Sequence, residues 1–252
     1  MPFPALKSVA LASVVAGLAA CSVAPPGTDI HDPYEASNRE VHELNKRLDS
    51  ALSSPGADRR PVAPEIAIPV SNFAANAGLP SAVLNNLLQG NVGGAATNTF
   101  RFILNSTVGV AGLFDPAGAI GLPEEETDFG ETLHVWGVAE GAYLELPVVG
   151  PSTERDAAGR IVDAVIDPLG SIVGQDLRTA ATVARVGDRA IDRRQFGNAV
   201  DDILYNSADS YAQSRLIYLQ NRRFELGMEP PDANIDGEGP IDPFALDLEG
   251  FE

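Results

Sequence analysis

From Ile66 to Pro123 the chain carries charge only at Arg101 and Asp115, and its polar positions are filled by amides instead, at Asn72, Asn76, Asn85, Asn86, Asn91, Asn98 and Asn105. Apolar residues fall between them in short runs broken by Gly and Pro, none approaching the ~20 residues of a membrane-spanning helix. Pro80 to Gln89 reads as one helix, Gly90 to Gly94 as a break, and Ala95 to Asn105 as a second helix carrying Phe100, Phe102, Ile103 and Leu104. Val108 to Phe114 is a third short apolar piece, ending at Asp115-Pro116. Strands are disfavoured, because alternation is missing and Pro and Gly recur too often. Two surroundings suit amphipathic segments with neutral polar partners: the interior of a larger soluble domain, or a lipid leaflet around a polar cavity. Successive helices without a charged face are easier to place in the leaflet.

The flanks are patterned differently. Asp32 as N-cap with Pro33 at the first helical position predicts a helix carrying Tyr34, Val41, Leu44, Leu48 and Leu52, ended by Ser53 to Gly56. Pro61, Pro64 and Pro69 predict an irregular connection. Asp128 and Glu131 form a capping box that starts a helix running through Trp136. Leu144 to Val149 reads as extended, Gly150-Pro151-Ser152 as a turn, and a helix follows from Thr153. Beyond it, apolar residues at helical spacing continue to Leu219, interspersed with Arg and Asp. The fold class expected is all-α, with one domain over residues 32–228.

Charge and composition narrow the function. A formal net charge of −18 and few bases make nucleic acid a poor partner, since phosphate binding is driven by Lys and Arg. Residues 229–252 hold eight acids, four prolines and no base, too little hydrophobic surface to order themselves, and serve as a solubilising or docking tail. At the other end, residues 1–20 read as a lipoprotein signal peptide, with Lys7 before an apolar core and Leu18-Ala19-Ala20-Cys21 at its close. Cys21 is the single cysteine, so it has no partner for an intramolecular disulfide and is the expected lipidation site, each buried methylene adding about 0.8 kcal/mol of anchoring. Residues 21–31 form a Pro/Gly-rich tether. Catalytic patterns are missing. His31, His42 and His134 fit no zinc spacing, no Gly-x-Ser-x-Gly elbow occurs, and Gly90 to Gly94 lacks the Lys-Ser/Thr of a phosphate loop. No enzyme, metal or cofactor is expected, and a protein that binds or conducts fits better.

A resemblance runs through the middle of the chain. Asp32-Pro33-Tyr34-Glu35, Asn38-Arg39, Asn45, Arg60-Pro61-Val62-Ala63, Asn72-Phe73, Asn85 and Leu87 to Gly90 resemble the opening of the MlaA (VacJ) lipoproteins. The likeness continues through Arg101-Phe102, Asn105, Thr107, Gly109, Gly112, Phe114-Asp115, Asp128-Phe129-Gly130, Trp136-Gly137-Val138, Tyr143, Leu146-Pro147, Gly150-Pro151-Ser152 and Arg155-Asp156. It implies a ring-shaped helical outer-membrane lipoprotein, embedded from the periplasmic side in the inner leaflet around an amphipathic channel. Such proteins remove mislocalised phospholipid from the outer leaflet, pass it to a periplasmic carrier protein and associate with trimeric porins.

Within that frame Asn85, Asn98, Arg101 and Tyr143 are candidates for the channel wall or a lipid headgroup. Tyr143 is expected at the interface with its hydroxyl in water. Arg101 either meets a headgroup or pairs with Asp115 or Asp128 to hold the fold. Asn38, Arg39, Asp128, Arg155 and Asp156 are expected to be structural, the last two fixing a helix start. The alternatives are an envelope-lipid enzyme and a structural lipoprotein or porin accessory without lipid flux.

Overall fold

The longest apolar stretch forms the longest helix. In this computed structural model, which describes residues 30–53, 61–166, 168 and 174–228, Pro64–Leu88 is one continuous helix, here α2. The signal segment, Cys21, the tether as far as Asp29, the end of the first helix beyond Ser53 and the acidic tail lie outside the described residues. The irregular connection expected around Pro61 to Pro69, and the fresh helix start at Pro80, are therefore corrected: Pro69 and Pro80 sit inside α2. An internal proline forfeits a hydrogen bond and costs about 3 kcal/mol. Packing along the helix offsets that, chiefly against α3 (Val92–Thr107) and α7 (Gln175–Gln195). Helix α3 starts earlier than Ala95 because the Asn91 side chain accepts from the Gly94 N–H and caps it.

Before α2 comes α1 (Glu35–Ser53). Asp32 does not cap it; its carboxylate instead accepts from Asn38 at 2.9 Å and from Tyr211 and Arg215. After α3 come the short α4 (Pro116–Ala119), capped by Asp115, and α5 (Phe129–Val135), capped by Asp128 as its sequence predicts. Tyr143–Leu146 (β1) and Gly150–Thr153 (β2) pair antiparallel, so the expected turn at Gly150 to Ser152 is a second strand of a small hairpin in an otherwise helical fold. Helix α6 (Glu154–Ile166) follows, then α7, α8 (Gly197–Asp201), a π-helical turn (Asp202–Asn206) and α9 (Ser210–Glu225).

The apolar interior is divided into small clusters. Ala77 and Ala181 join α2 to α7 under Phe73 and Phe102; Phe129, Leu133 and Val162 join α5 to α6; Tyr143, Tyr211 and Leu219 join the hairpin to α9. Helices α5 and α6 approach closely because Gly159 has no Cβ, which would collide with the Gly130 backbone.

Polar side chains hold the clusters together. On α1, Asn38 and Asn45 are two turns apart and so share a face. The amide of Asn38 donates to the Tyr143 carbonyl at 3.1 Å and accepts from the Glu145 N–H at 2.9 Å, while Asn45 donates to the Leu146 carbonyl at 3.0 Å and accepts from the Val148 N–H at 2.7 Å. Two side chains thus satisfy the outer edge of β1 as a third strand would. Between them His42 is buried against Glu145 at 3.3 Å and Ser210 at 3.0 Å.

Helix α3 repeats the device. Asn98 and Asn105 are again seven apart. Asn98 bonds both the N–H and the carbonyl of Glu125, Asn105 accepts from the Ala117 N–H and donates to Asp115, and Arg101 stands between them. Both the charged α1 and the charge-poor α3 are thus fastened to neighbouring backbone by neutral amides.

Candidate functional site

Helix α2 has different surroundings on its two sides. Gly78 and Ala82, one turn apart, face a cavity of about 450 Å³ whose other walls are polar, with Glu124, Asp128, Glu131 and Arg222 among them. Val83 and Leu87, also one turn apart and roughly on the opposite face, line an open apolar groove of about 440 Å³ with Val92, Phe100 and Ile103 of α3. Phe100 and Ile103 are 53% and 55% exposed. The apolar surface extends past the groove. Leu88 and Trp136 are exposed side by side, with the indole N–H donating to the Leu88 carbonyl at 3.1 Å, and Val108, Val110, Phe114 and Ile120 are exposed on the segment after α3. Exposed apolar residues in such number mark a surface suited to contact with a partner or a membrane. Among the described residues no helix is long and apolar enough to cross a membrane.

The cavity behind α2 is acidic. Burial raises the carboxyl of Glu124 above its usual range despite the attraction of Arg101, and burial likewise raises that of Glu131. Arg222 is the cation on this wall, and it is committed: it donates to both oxygens of Asp128 at 2.7 and 2.9 Å and reaches Asp156 at 3.3 Å. Burial alone would raise the carboxyl of Asp156, but the charges of Arg222 and Arg155 and the hydroxyl of Tyr218, at 2.5 Å, hold it below its usual range.

The residues singled out from sequence are distributed around this arrangement. Arg101 is buried and bound: it donates to the Leu122 carbonyl and to both oxygens of Asp115 at 3.2 and 3.3 Å, and lies 3.7 Å from Glu124. Of the two pairings considered, Asp115 is the partner, and Asp128 belongs to Arg222. Of its three guanidinium nitrogens, Nε alone has no acceptor among the described residues.

Asn85 donates to Asp163 at 2.9 Å and accepts from Thr132 at 3.0 Å, so both amide atoms are used within the protein. Asn98 is 0% exposed and clamps Glu125. Tyr143 is 1% exposed, and its hydroxyl donates to Glu145 at 2.5 Å; the expectation of a hydroxyl in water is corrected, because the hairpin folds this ring under α9. The geometry thus brings Asn85, Asn98 and Tyr143 into the interior and leaves none of them with a polar group free for a lipid.

Arg39 pairs with Asp209 at 2.9 Å, joining α1 to α9. Arg155 and Asp156 are buried at the start of α6, where the Asp156 N–H donates to Thr153 and Arg155 donates to His134 at 3.4 Å. Sequence reasoning passed over Gly78 and Ala82, whose only signal is small side chains one helical turn apart. It also passed over Glu124.

A family model described as MlaA lipoprotein matches residues 30–225 of this chain. The chain belongs to the MlaA lipoprotein family. It is similar to the intermembrane phospholipid transport system lipoprotein MlaA of Escherichia coli K12, with 32% identity over 228 residues, 87% of this chain and 88% of that one. It is also 33% identical over 191 residues, 74% of each chain, to an uncharacterised protein of Rickettsia felis. A solved chain, from work on the structural basis for maintenance of bacterial outer membrane lipid asymmetry, aligns with TM-score 0.61 and 29% identity over 77% of this chain and 98% of that one. The MlaA match takes in both sides of α2 and the loops that Asn98, Arg101 and Asn105 hold, so the groove and the cavity lie within the family's common body.

Proposed function

We propose that this protein extracts phospholipid from the outer membrane and releases it toward the periplasm, maintaining lipid asymmetry. The observation that carries the reading is α2 itself, with a lipid-accepting apolar groove on one side and a polar cavity on the other. Ions avoid hydrocarbon because desolvating them is expensive, and the groove side of α2 and α3 has none. Body and groove would sit in the inner leaflet, anchored through Cys21, and a headgroup would pass on the cavity side while its chains remain in apolar surroundings. Transport needs no covalent step here, and direction would be set by a periplasmic carrier that takes up the lipid. A trimeric porin is the proposed neighbour in the membrane.

Gly78 supplies the test. A Cβ there would meet nothing within 4 Å, so Gly78→Ala is accommodated, whereas Gly78→Phe projects a ring into the cavity. Surface-exposed phospholipid is measured in cells lacking the protein and restored with wild type, Gly78→Ala, Gly78→Phe or Cys21→Ala, with protein level followed by immunoblot. Wild type and Gly78→Ala should clear the lipid, while Gly78→Phe and Cys21→Ala should not. Clearance by Gly78→Phe at wild-type level rules out passage through this cavity. No rise in surface phospholipid on deletion replaces transport with a structural or porin-accessory role.

A further inference from the structure

Beneath Phe73 and Phe102, where α2, α3 and α7 meet, lies a second cavity of about 190 Å³. Its walls are almost wholly apolar and include Ala77, Ala181 and Leu177. A dry apolar cavity of about 150 Å³ is large enough to take benzene, so this one has room for a short length of alkyl chain. It is not purely apolar, however. Asn76 and Ser106 also line it, Asn76 donates to the Ser106 hydroxyl at 3.1 Å, and Oδ1 of Asn76 is buried without a hydrogen-bond partner among the described residues. Turning the amide over would satisfy Oδ1 from Ser106 and orphan Nδ2 instead. In either orientation one of the amide's two polar atoms is left without a partner in an apolar chamber, which is unfavourable unless something in the chamber meets it.

We propose that this cavity is a binding site for an alkyl chain bearing a hydroxyl, whose hydroxyl completes Asn76 while its methylenes fill the space under Phe73 and Phe102. A hydroxyl both donates and accepts, so it answers either orientation of the amide. A bare acyl chain fills the volume and leaves the amide unmet, and a charged headgroup has no counter-charge there. The site is separate from the polar cavity behind Gly78 and does not depend on lipid extraction. The lipid chemistry that fits is a hydroxylated fatty acyl chain, whose hydroxyl lies on the chain itself and apart from any charged headgroup.

The test uses the full-length lipoprotein in isolated outer membranes with two photoreactive probes, a diazirine-bearing medium-chain alkanol and the matching diazirine alkane, and crosslinks mapped by mass spectrometry. The alkanol should label the segments around Phe73, Phe102 and Leu177 roughly three- to tenfold more than the alkane, the worth of one neutral hydrogen bond. Asn76→Leu, of similar size, should abolish that preference while alkane labelling persists. Ala181→Leu should reduce labelling by both probes. Competition by the uncharged methyl ester of a 3-hydroxy fatty acid supports the site, and its failure to compete overturns it. Equal labelling by both probes, or an alkanol preference that survives Asn76→Leu, also overturns the proposal and assigns the orphan amide to water.

Discussion

Replacing Arg101 by Met separates a structural cation from a lipid-binding one. The guanidinium donates to the Leu122 carbonyl and to Asp115, and its side chain is 7% exposed. A charge-assisted hydrogen bond to a carbonyl contributes about 1.5–3 kcal/mol. The pairing with Asp115 adds less, because that carboxylate is 32% exposed and solvent screening limits such a pair to about 1 kcal/mol or below. Asp115 also keeps its bonds from Asn105 and the Gly118 N–H when Arg101 is gone. Loss of Arg101 should therefore destabilise the protein by roughly 2–4 kcal/mol, which for a domain of this size lowers Tm by roughly 5–15 °C. Circular dichroism of the protein in lipid nanodiscs reads the shift, and Arg101→Lys should recover part of it by restoring one donor. Lipid clearance in cells should fall only as far as protein level falls. A Tm within about 2 °C of wild type, together with lost clearance at normal protein level, would refute the reasoning and put the guanidinium on a lipid.

Other perturbations test the rest of the framework. Phe100→Glu with Ile103→Glu places carboxylates on the exposed groove; the purified protein should keep its helical signal, yet partition less into lipid nanodiscs in a flotation assay. Asn38→Ala leaves the Tyr143 carbonyl and the Glu145 N–H without partners at the edge of β1, and should cost roughly 2–4 kcal/mol in urea unfolding. Gly159→Ala should cost more than either, read as loss of soluble folded protein, because the new methyl collides with the Gly130 backbone. His134 has its imidazole pKa held below the usual 6.5 by burial and by the positive charges of Arg155 and Arg222. The unfolded chain takes up that proton first, so stability present above pH 6.5 declines as pH falls from 6.5 toward the lower folded value. Urea midpoints of wild type and His134→Gln compared at neutral and mildly acidic pH should show a smaller decline in the variant.

Much of the architecture could be read from residue pattern, and the misreadings have a common cause. The N-cap at Asp128, half of the expected capping box, was legible because a cap is a local bond between residues three apart. The prolines of α2 misled because their penalty is local while its compensation, packing on α3 and α7, comes from residues as distant as Ala181. Tyr143 reads as an interfacial side chain until the chain returns from α9 with Tyr211 and Tyr218 to cover it. Arg101 was found correctly as the odd charge in a neutral stretch, and Asp115 was among its named partners. Asn98 was noticed as a candidate for the channel wall or a headgroup: seven-residue spacing between Asn98 and Asn105 is a legible signature of one helix face, and only the fold reveals that this face meets the Glu125 and Ala117 backbone.

Fastening by amides has a consequence for how the protein endures its surroundings. Asparagine neither gains nor loses a proton anywhere in the physiological range and attracts no counter-ion, so the bonds from Asn38, Asn45, Asn98 and Asn105 persist unchanged when the envelope acidifies or its ionic strength swings. An ion pair in the same place would be screened by salt where it is exposed and heavily desolvated where it is buried. These joints keep their geometry through changes of salt and pH that weaken an exposed ion pair such as Arg39 with Asp209, which also joins α1 to α9. Conversion of a single one of these amides to a carboxylate, as in Asn98→Asp, would remove that indifference and tie the loop at Glu125 to external pH.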